Sequence, residues 1–175
     1  MTLFSTIIVP HDFSETAERA FRAACNLARD PEARVHLLHV QSPPAYTFAG
    51  EAHVGLAAYG VTGTSMQLEA VASSHARLER LARAAAFPAT RIHLHVVEAS
   101  SVARAIVSAA DHLGADLIAM GTHGRTGLAH LLMGSVAEET LRNASCPVLA
   151  VPLVRARAPQ AERWEASRHP PLGAL

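Results

Sequence analysis

The chain of 175 residues has little cysteine, few aromatics, no net charge and no long apolar run. Each shortage removes a class of protein. Its two cysteines, Cys25 and Cys146, form no C-x-x-C pair and no metal-ligand spacing, which fits a reducing compartment better than a disulfide-stapled secreted fold. Fifteen Lys and Arg cancel fifteen Asp and Glu, so bulk charge offers no hold on nucleic acid or an anionic membrane. No stretch of about eighteen apolar residues reads as a membrane-spanning helix. The first five residues, Met1 to Ser5, show neither a positive segment before an apolar run nor a small-residue cleavage site after one, so they read as the approach to a strand. A cytoplasmic location is therefore expected. Three catalytic or nucleotide motifs are also missing: the Gly-Lys-Ser/Thr of a phosphate loop, a G-x-G-x-x-G after the first strand, and a G-x-S-x-G elbow.

What is present is the composition of a folded domain, half hydrophobic and 17% charged. Strand-length apolar runs alternate with helical patterns. Phe4 to Val9, Val35 to Val40, Ile92 to Val97, Asp116 to Met120 and Pro147 to Val151 read as strands. Between them, apolar residues recur at helical three-and-four spacing. The stripes are Ala17 to Ala28, Leu68 to Ala85, Val102 to Leu113 and Val136 to Ala144. Thr64 to Gln67 fits a capping box for the second helix, and Gly114 suits the left-handed cap that ends the third. Strands alternating with helices need right-handed crossovers, and their continuous apolar runs suit burial on both faces. The expected fold is α/β, a single doubly wound five-stranded parallel sheet with helices on both faces. Ligands in such sheets bind beyond the carboxyl ends of the strands, which points to Pro10 to Phe13, to Val40 onward, and to Gly121 onward.

Two stretches break the pattern. Residues 41–63 form a long connection with Gly, Pro, Tyr46 and Tyr59, of a length that is usually functional or mobile. Residues 155–175 are rich in Arg, Pro and Ala, hold Trp164, and read as a flexible tail after a nucleotide-binding domain spanning 1–154.

The densest chemical signal follows the fourth strand, where Gly121, Gly124, Gly134 and Ser135 are spaced G-x2-G-x9-G-S. Glycines let backbone N–H groups converge on a ligand, and Gly134-Ser135 stands where the fourth helix starts, a place that favours a phosphate. A second reading fits the same residues: Ser135 and Glu138 form an S-x-x-E capping box that starts the helix with no ligand. Asp12 is likewise open to two roles, a ligand contact at a strand end or a capping box with Glu15.

The spacing and its filling, GTHGRTGL followed by GSVAEET, resemble the signature of ATP-binding universal stress proteins. IIVPHDFSE, LLHV and SCPVLAV resemble that family too, so the likeness runs from Leu3 to Val151. The resemblance implies a Rossmann-like, adenine nucleotide alpha hydrolase-like domain that binds ATP, ADP or AMP with Mg²⁺ or Mn²⁺. It places Asp12 and Pro10 at the nucleoside and the backbone of Val40 at the adenine edge. Gly121 and Gly124 fall along the ribose and α-phosphate, and Gly134, Ser135 and Val136 on the outer phosphates. It also implies a homodimer through Val148 to Val151, an edge strand that needs cover. Glu98-Ala99-Ser100-Ser101 departs from the glycine that relatives carry after the third strand.

Among other candidates, Arg125 offers a planar fork of donors to a phosphate, with an exposed salt bridge as its alternative. His123 lies inside the glycine loop. His36, His39, His93 and His95 lie on neighbouring strands, but a metal site needs convergent ligands, and packing explains them better. No general base accompanies the loop, so no catalytic residue is assigned. The function expected is regulatory: ATP occupancy sets conformation and binding to a protein partner. A slow metal-dependent ATPase and a nucleotide-independent stress-interaction protein are the alternatives.

Overall fold

The computed structural model describes residues 4–42, 63–123 and 133–153. Gly124, Arg125, most of the long connection (43–62) and the tail (154–175) lie outside them. Among the described residues there are five strands, β1 (Thr6–Pro10), β2 (Arg34–Gln41), β3 (Ile92–Glu98), β4 (Leu117–Gly121) and β5 (Val148–Val151). They alternate with α1 (Glu15–Leu27), α2 (Gly63–Ala84), α3 (Val102–Leu113) and α4 (Ser135–Asn143). Every pairing is parallel, in the order β3-β2-β1-β4-β5. The chain thus steps outward from β1 to β3, then returns to the other side of β1, and the reversal opens a crevice at the carboxyl ends of β1 and β4.

The two faces of the sheet bury separate clusters because successive side chains alternate. Ile7, Val9, Val35 and Leu37 meet Phe21 and Ala24 of α1 and Leu78 and Ala82 of α2. Ile8, Leu38, Ile118 and Met120 meet Ile106 and Ala110 of α3 and Ala137 of α4. No helix among the described residues is long and apolar enough to cross a membrane.

Several local expectations hold and others shift. Gly114 ends α3 in the left-handed region, φ 61° and ψ 41°, as its placement predicts. The fourth strand begins at Leu117, one residue late, because Asp116 is used as a latch: its carboxylate accepts from Ser5 N and Ser5 Oγ at 2.7 Å each and from Thr6 N at 3.2 Å. The stripe of α2 is not buried throughout. Leu68 is 71% exposed, since a helix of 22 residues outruns a strand of seven at about 1.5 Å rise per residue. Both cysteines are half-buried thiols that burial pushes up, Cys25 to about 11, so neither is poised as a nucleophile.

Close packing explains Gly121. A Cβ there would lie 2.5 Å from Oγ1 and 2.9 Å from the carbonyl carbon of Thr16, while the Thr16 hydroxyl donates to His123 O. Helix α1 can press on β4 only because that side chain is missing. Gly121→Ala is expected to cost about 1–3 kcal/mol through overpacking, read as a lower urea midpoint at unchanged slope.

On the α3 side of β2 and β3, three histidines stack. The His36 ring lies 4.8 Å from His93 and 5.2 Å from His95, and His36 Nδ1 is 3.0 Å from His95 Nε2. Burial, with the neighbouring imidazoles second, lowers His36 to about 4, and burial lowers His95 as well. The unfolded chain titrates these groups near 6.5 (about the free value), so between pH 6.5 and 4 it binds more protons than the folded chain. Stability is therefore expected to fall as pH falls through that window. Urea unfolding at pH 7.5 and 5.5 tests this, and His36→Gln should reduce the difference; an identical loss in both proteins would contradict it.

Candidate functional site

A cleft of about 670 Å³ occupies the crevice, a volume in the range of small-molecule sites (about 300–1,000 Å³). The end of β1 and the loop after it supply Pro10, Asp12 and Ser14, the end of β2 supplies His39 to Ser42, and β4 leads in Gly121, Thr122 and His123. The first turn of α4 closes the far end with Ser135, Val136 and Ala137, while Val102, Ile106 and Met120 form an apolar wall. Of the residues named from sequence, Pro10, Asp12, Val40, Gly121, Gly134, Ser135 and Val136 all line this one cleft. His123 does so too, its Nδ1 2.8 Å from Thr122 Oγ1.

Neither capping box at the cleft forms; the third, Thr64 to Gln67, falls inside a helix that already begins at Gly63, with the Thr64 side chain outside the described residues. The cap of α4 is Gly134, which makes no side-chain capping bond, and Ser135 is the first helical residue. Glu138 instead pairs with Arg142 at 2.8 Å. The Gly134 amide also departs from its assigned role on a phosphate, because it donates to Thr122 O at 2.7 Å. The amides facing outward from the first turn are those of Ser135, Val136 and Ala137, which have no intrahelical acceptor by their position. The Ser135 hydroxyl is thereby left to the cleft rather than to the helix.

At α1 the cap is Ser14, whose Oγ accepts from Ala17 N at 3.3 Å. Asp12 sits one step further out: its Oδ1 accepts from Ser14 N at 3.1 Å and from Ser14 Oγ at 2.6 Å. The carboxylate is held by a turn of its own making and keeps its place at the strand end.

Sequence reasoning pointed to the Pro10 to Phe13 segment without giving His11 or Phe13 a role, read His39 as packing, and missed Arg77. Phe13 has φ 66° and is the one non-glycine residue with positive φ among those described, a conformation that costs of order 1–3 kcal/mol. Contacts on every side hold it there. Its amide donates to His11 Nδ1 at 3.1 Å, its ring lies 4.6 Å from that of His39, and the Arg77 guanidinium covers it at 3.6 Å. His39 Nδ1 is 2.7 Å from His11 O. His11 is 3% exposed, and burial lowers it to about 4, so it is neutral at physiological pH. The strand pattern could have flagged His11, next to Asp12 but on the opposite face. Nothing in the pattern brings Arg77 over from α2.

A model of the universal stress protein family matches residues 3–152. The chain belongs to that family. Universal stress protein MJ0531 of Methanocaldococcus jannaschii is 35% identical over 149 residues, covering 85% of this chain and 82% of the relative. Among solved structures, hypothetical protein MJ0577, from the same organism, superposes with a TM-score of 0.67 at 25% identity, covering 88% of this chain and 99% of that one. A universal stress protein in complex with cAMP gives 0.58 at 24% identity, with 85% and 97% covered. The universal stress protein of Archaeoglobus fulgidus in complex with dAMP gives 0.50 at 20%, with 86% and 99% covered. These last two speak to the fold, which they share with the universal stress protein domain described here.

The Ser14 cap separates fold from site. Ser14→Ala is expected to lower stability by about 1 kcal/mol, the usual loss for such a cap, measured by chemical unfolding.

Proposed function

We propose that this chain is an ATP-binding regulatory protein of the stress response, in which nucleotide occupancy sets the conformation that a protein partner reads. The observation that carries the reading is the first turn of α4: Ser135, Val136 and Ala137 line the cleft, its cap is a glycine, and Ser135 has no capping duty. Such a terminus attracts phosphate through its amides and its dipole. Asp12 lines the same cleft, and the end of β2 at Val40 would offer backbone groups to a base edge. Two proteins of the same fold were solved with cAMP and with dAMP, both adenine nucleotides.

Mg²⁺ or Mn²⁺, when bound, would neutralise phosphate charge. Among the described residues no cluster of three or more His, Cys, Asp or Glu could hold an ion, so phosphate oxygens and the Ser135 hydroxyl are the donors that fit it. Gly124 and Arg125 belong to the same proposed loop. Binding rather than turnover is favoured because Asp12 Oδ1 is engaged by Ser14 and His123 Nδ1 by Thr122. We propose in addition that β5, at the edge of the sheet, pairs with its copy through Val148 to Val151, which light scattering would read as twice 18.5 kDa.

Heat-denatured purified protein should release adenine nucleotide on chromatography, and ATP with Mg²⁺ should raise the melting temperature. Ser135→Ala is expected to weaken ATP binding about tenfold, equivalent to ~1.4 kcal/mol, with stability unchanged. Asp12→Asn keeps an acceptor for Ser14 and should weaken nucleotide binding alone. No released nucleotide together with no thermal shift would overturn the proposal, and phosphate release at many turnovers per hour would replace it with the ATPase reading.

A further inference from the structure

Beside the large cleft lies a second one of about 290 Å³, between the first turn of α1 and the middle of α2. His11, Phe13, Ser14, Glu18, Arg77 and Arg80 line it. Its charge is unbalanced. Glu18 pairs with Arg22 at 3.4 Å, while among the described residues neither Arg77 nor Arg80 has a carboxylate partner. Arg77 rests on the Phe13 ring instead.

His11 adds a donor of a different kind. Its Nδ1 accepts the Phe13 amide at 3.1 Å, so the proton of the neutral ring is on Nε2. Nε2 is buried and has no hydrogen-bond partner among the described residues. A donor left in that state costs about 1–3 kcal/mol, and an apolar side chain at this position would avoid the cost. An acceptor that arrives with a ligand accounts for it, and two guanidinium groups lining the same cleft, without a carboxylate partner among the described residues, define what that acceptor must be.

We propose that this second cleft is a phosphate-type oxyanion subsite, in which an oxyanion held between Arg77 and Arg80 accepts the Nε2 proton of His11. Nε2 is shielded from solvent in this structure, so seating the anion requires a local shift of the side chains around the cleft. Guanidinium groups suit the task because their planar fork matches oxyanion geometry. His11, Phe13, Ser14 and Arg77 also line the large cleft, so the oxyanion has two sources: free inorganic phosphate or, for a nucleotide seated end for end from the pose proposed above, its phosphate chain.

The test is a titration of the full chain, labelled with ¹⁵N-histidine, at pH 7.5 and constant ionic strength. The probes are sodium phosphate and, separately, ATP, and the readout is the His11 Nε2 resonance. The expected result is a saturable shift with phosphate at a Kd of order 1–10 mM (roughly 3–4 kcal/mol). Arg80→Gln should weaken it about threefold or more, the scale of an exposed ion pair, and Ser135→Ala should leave it unchanged. A response to ATP but not to phosphate, still weakened by Arg80→Gln, supports the same subsite with the nucleotide as its source. No His11 response to either probe overturns the proposal, as does a response that Arg77→Gln and Arg80→Gln both leave intact. Calorimetry that finds no ATP binding while phosphate still shifts His11 would sink the nucleotide reading and leave the subsite standing.

Discussion

Helix α1 and strand β4 approach at Thr16 and Gly121 more closely than any pair with a side chain between them could. That contact sets the mouth of the crevice. It brings the turn after β1 beside the end of β4, and the Thr16 hydroxyl ties the backbone of His123 to the first turn of α1. At the other end of the same strands, Asp116 gathers the amides of Ser5 and Thr6. Between these two fastenings β1 and β4 run parallel in the centre of the sheet, at the point where the strand order reverses. The cleft is therefore a product of topology held open by packing, and the loops that line it inherit their positions from a rigid frame.

Within that frame the polar groups divide their labour. Ser14 starts α1, which releases Asp12 from capping and leaves it a wall of the cleft. Gly134 starts α4 with its backbone, and its amide binds Thr122, so the helix is anchored without using the Ser135 hydroxyl. In each case a neighbour does the structural work that the expected residue was suited to do. The strained Phe13 fits the same pattern. It is paid for by the stack of His39, Phe13 and Arg77, which lies at the carboxyl end of β2 and joins α2 to a loop that otherwise belongs to α1.

The alternation of strand and helix, the two apolar faces and the cap at Gly114 were legible in the chain because each rests on local periodicity or on one residue's backbone preference. The site was legible to the degree that it lies at strand ends and at a helix start: Pro10, Asp12, Val40, Gly121, Gly134, Ser135 and Val136 converge as expected. The capping-box alternatives at Asp12 and Ser135 fail for a common reason. An S-x-x-E or D-x-x-E pattern states which residues can cap, and the entry angle of the chain, set by packing, decides which one does.

Sequence by itself determined the parallel α/β architecture, the family, and the list of residues at the carboxyl ends of the strands, because those follow from spacing along the chain. Tertiary structure alone decided three things. Gly121 is a glycine because Thr16 lies against it. Ser135 and Asp12 face the cleft because others cap their helices. Arg77 and Arg80, carried on α2, meet a buried histidine of the β1 loop around a second cleft. All three depend on contacts between segments far apart in sequence, whose register no local pattern records.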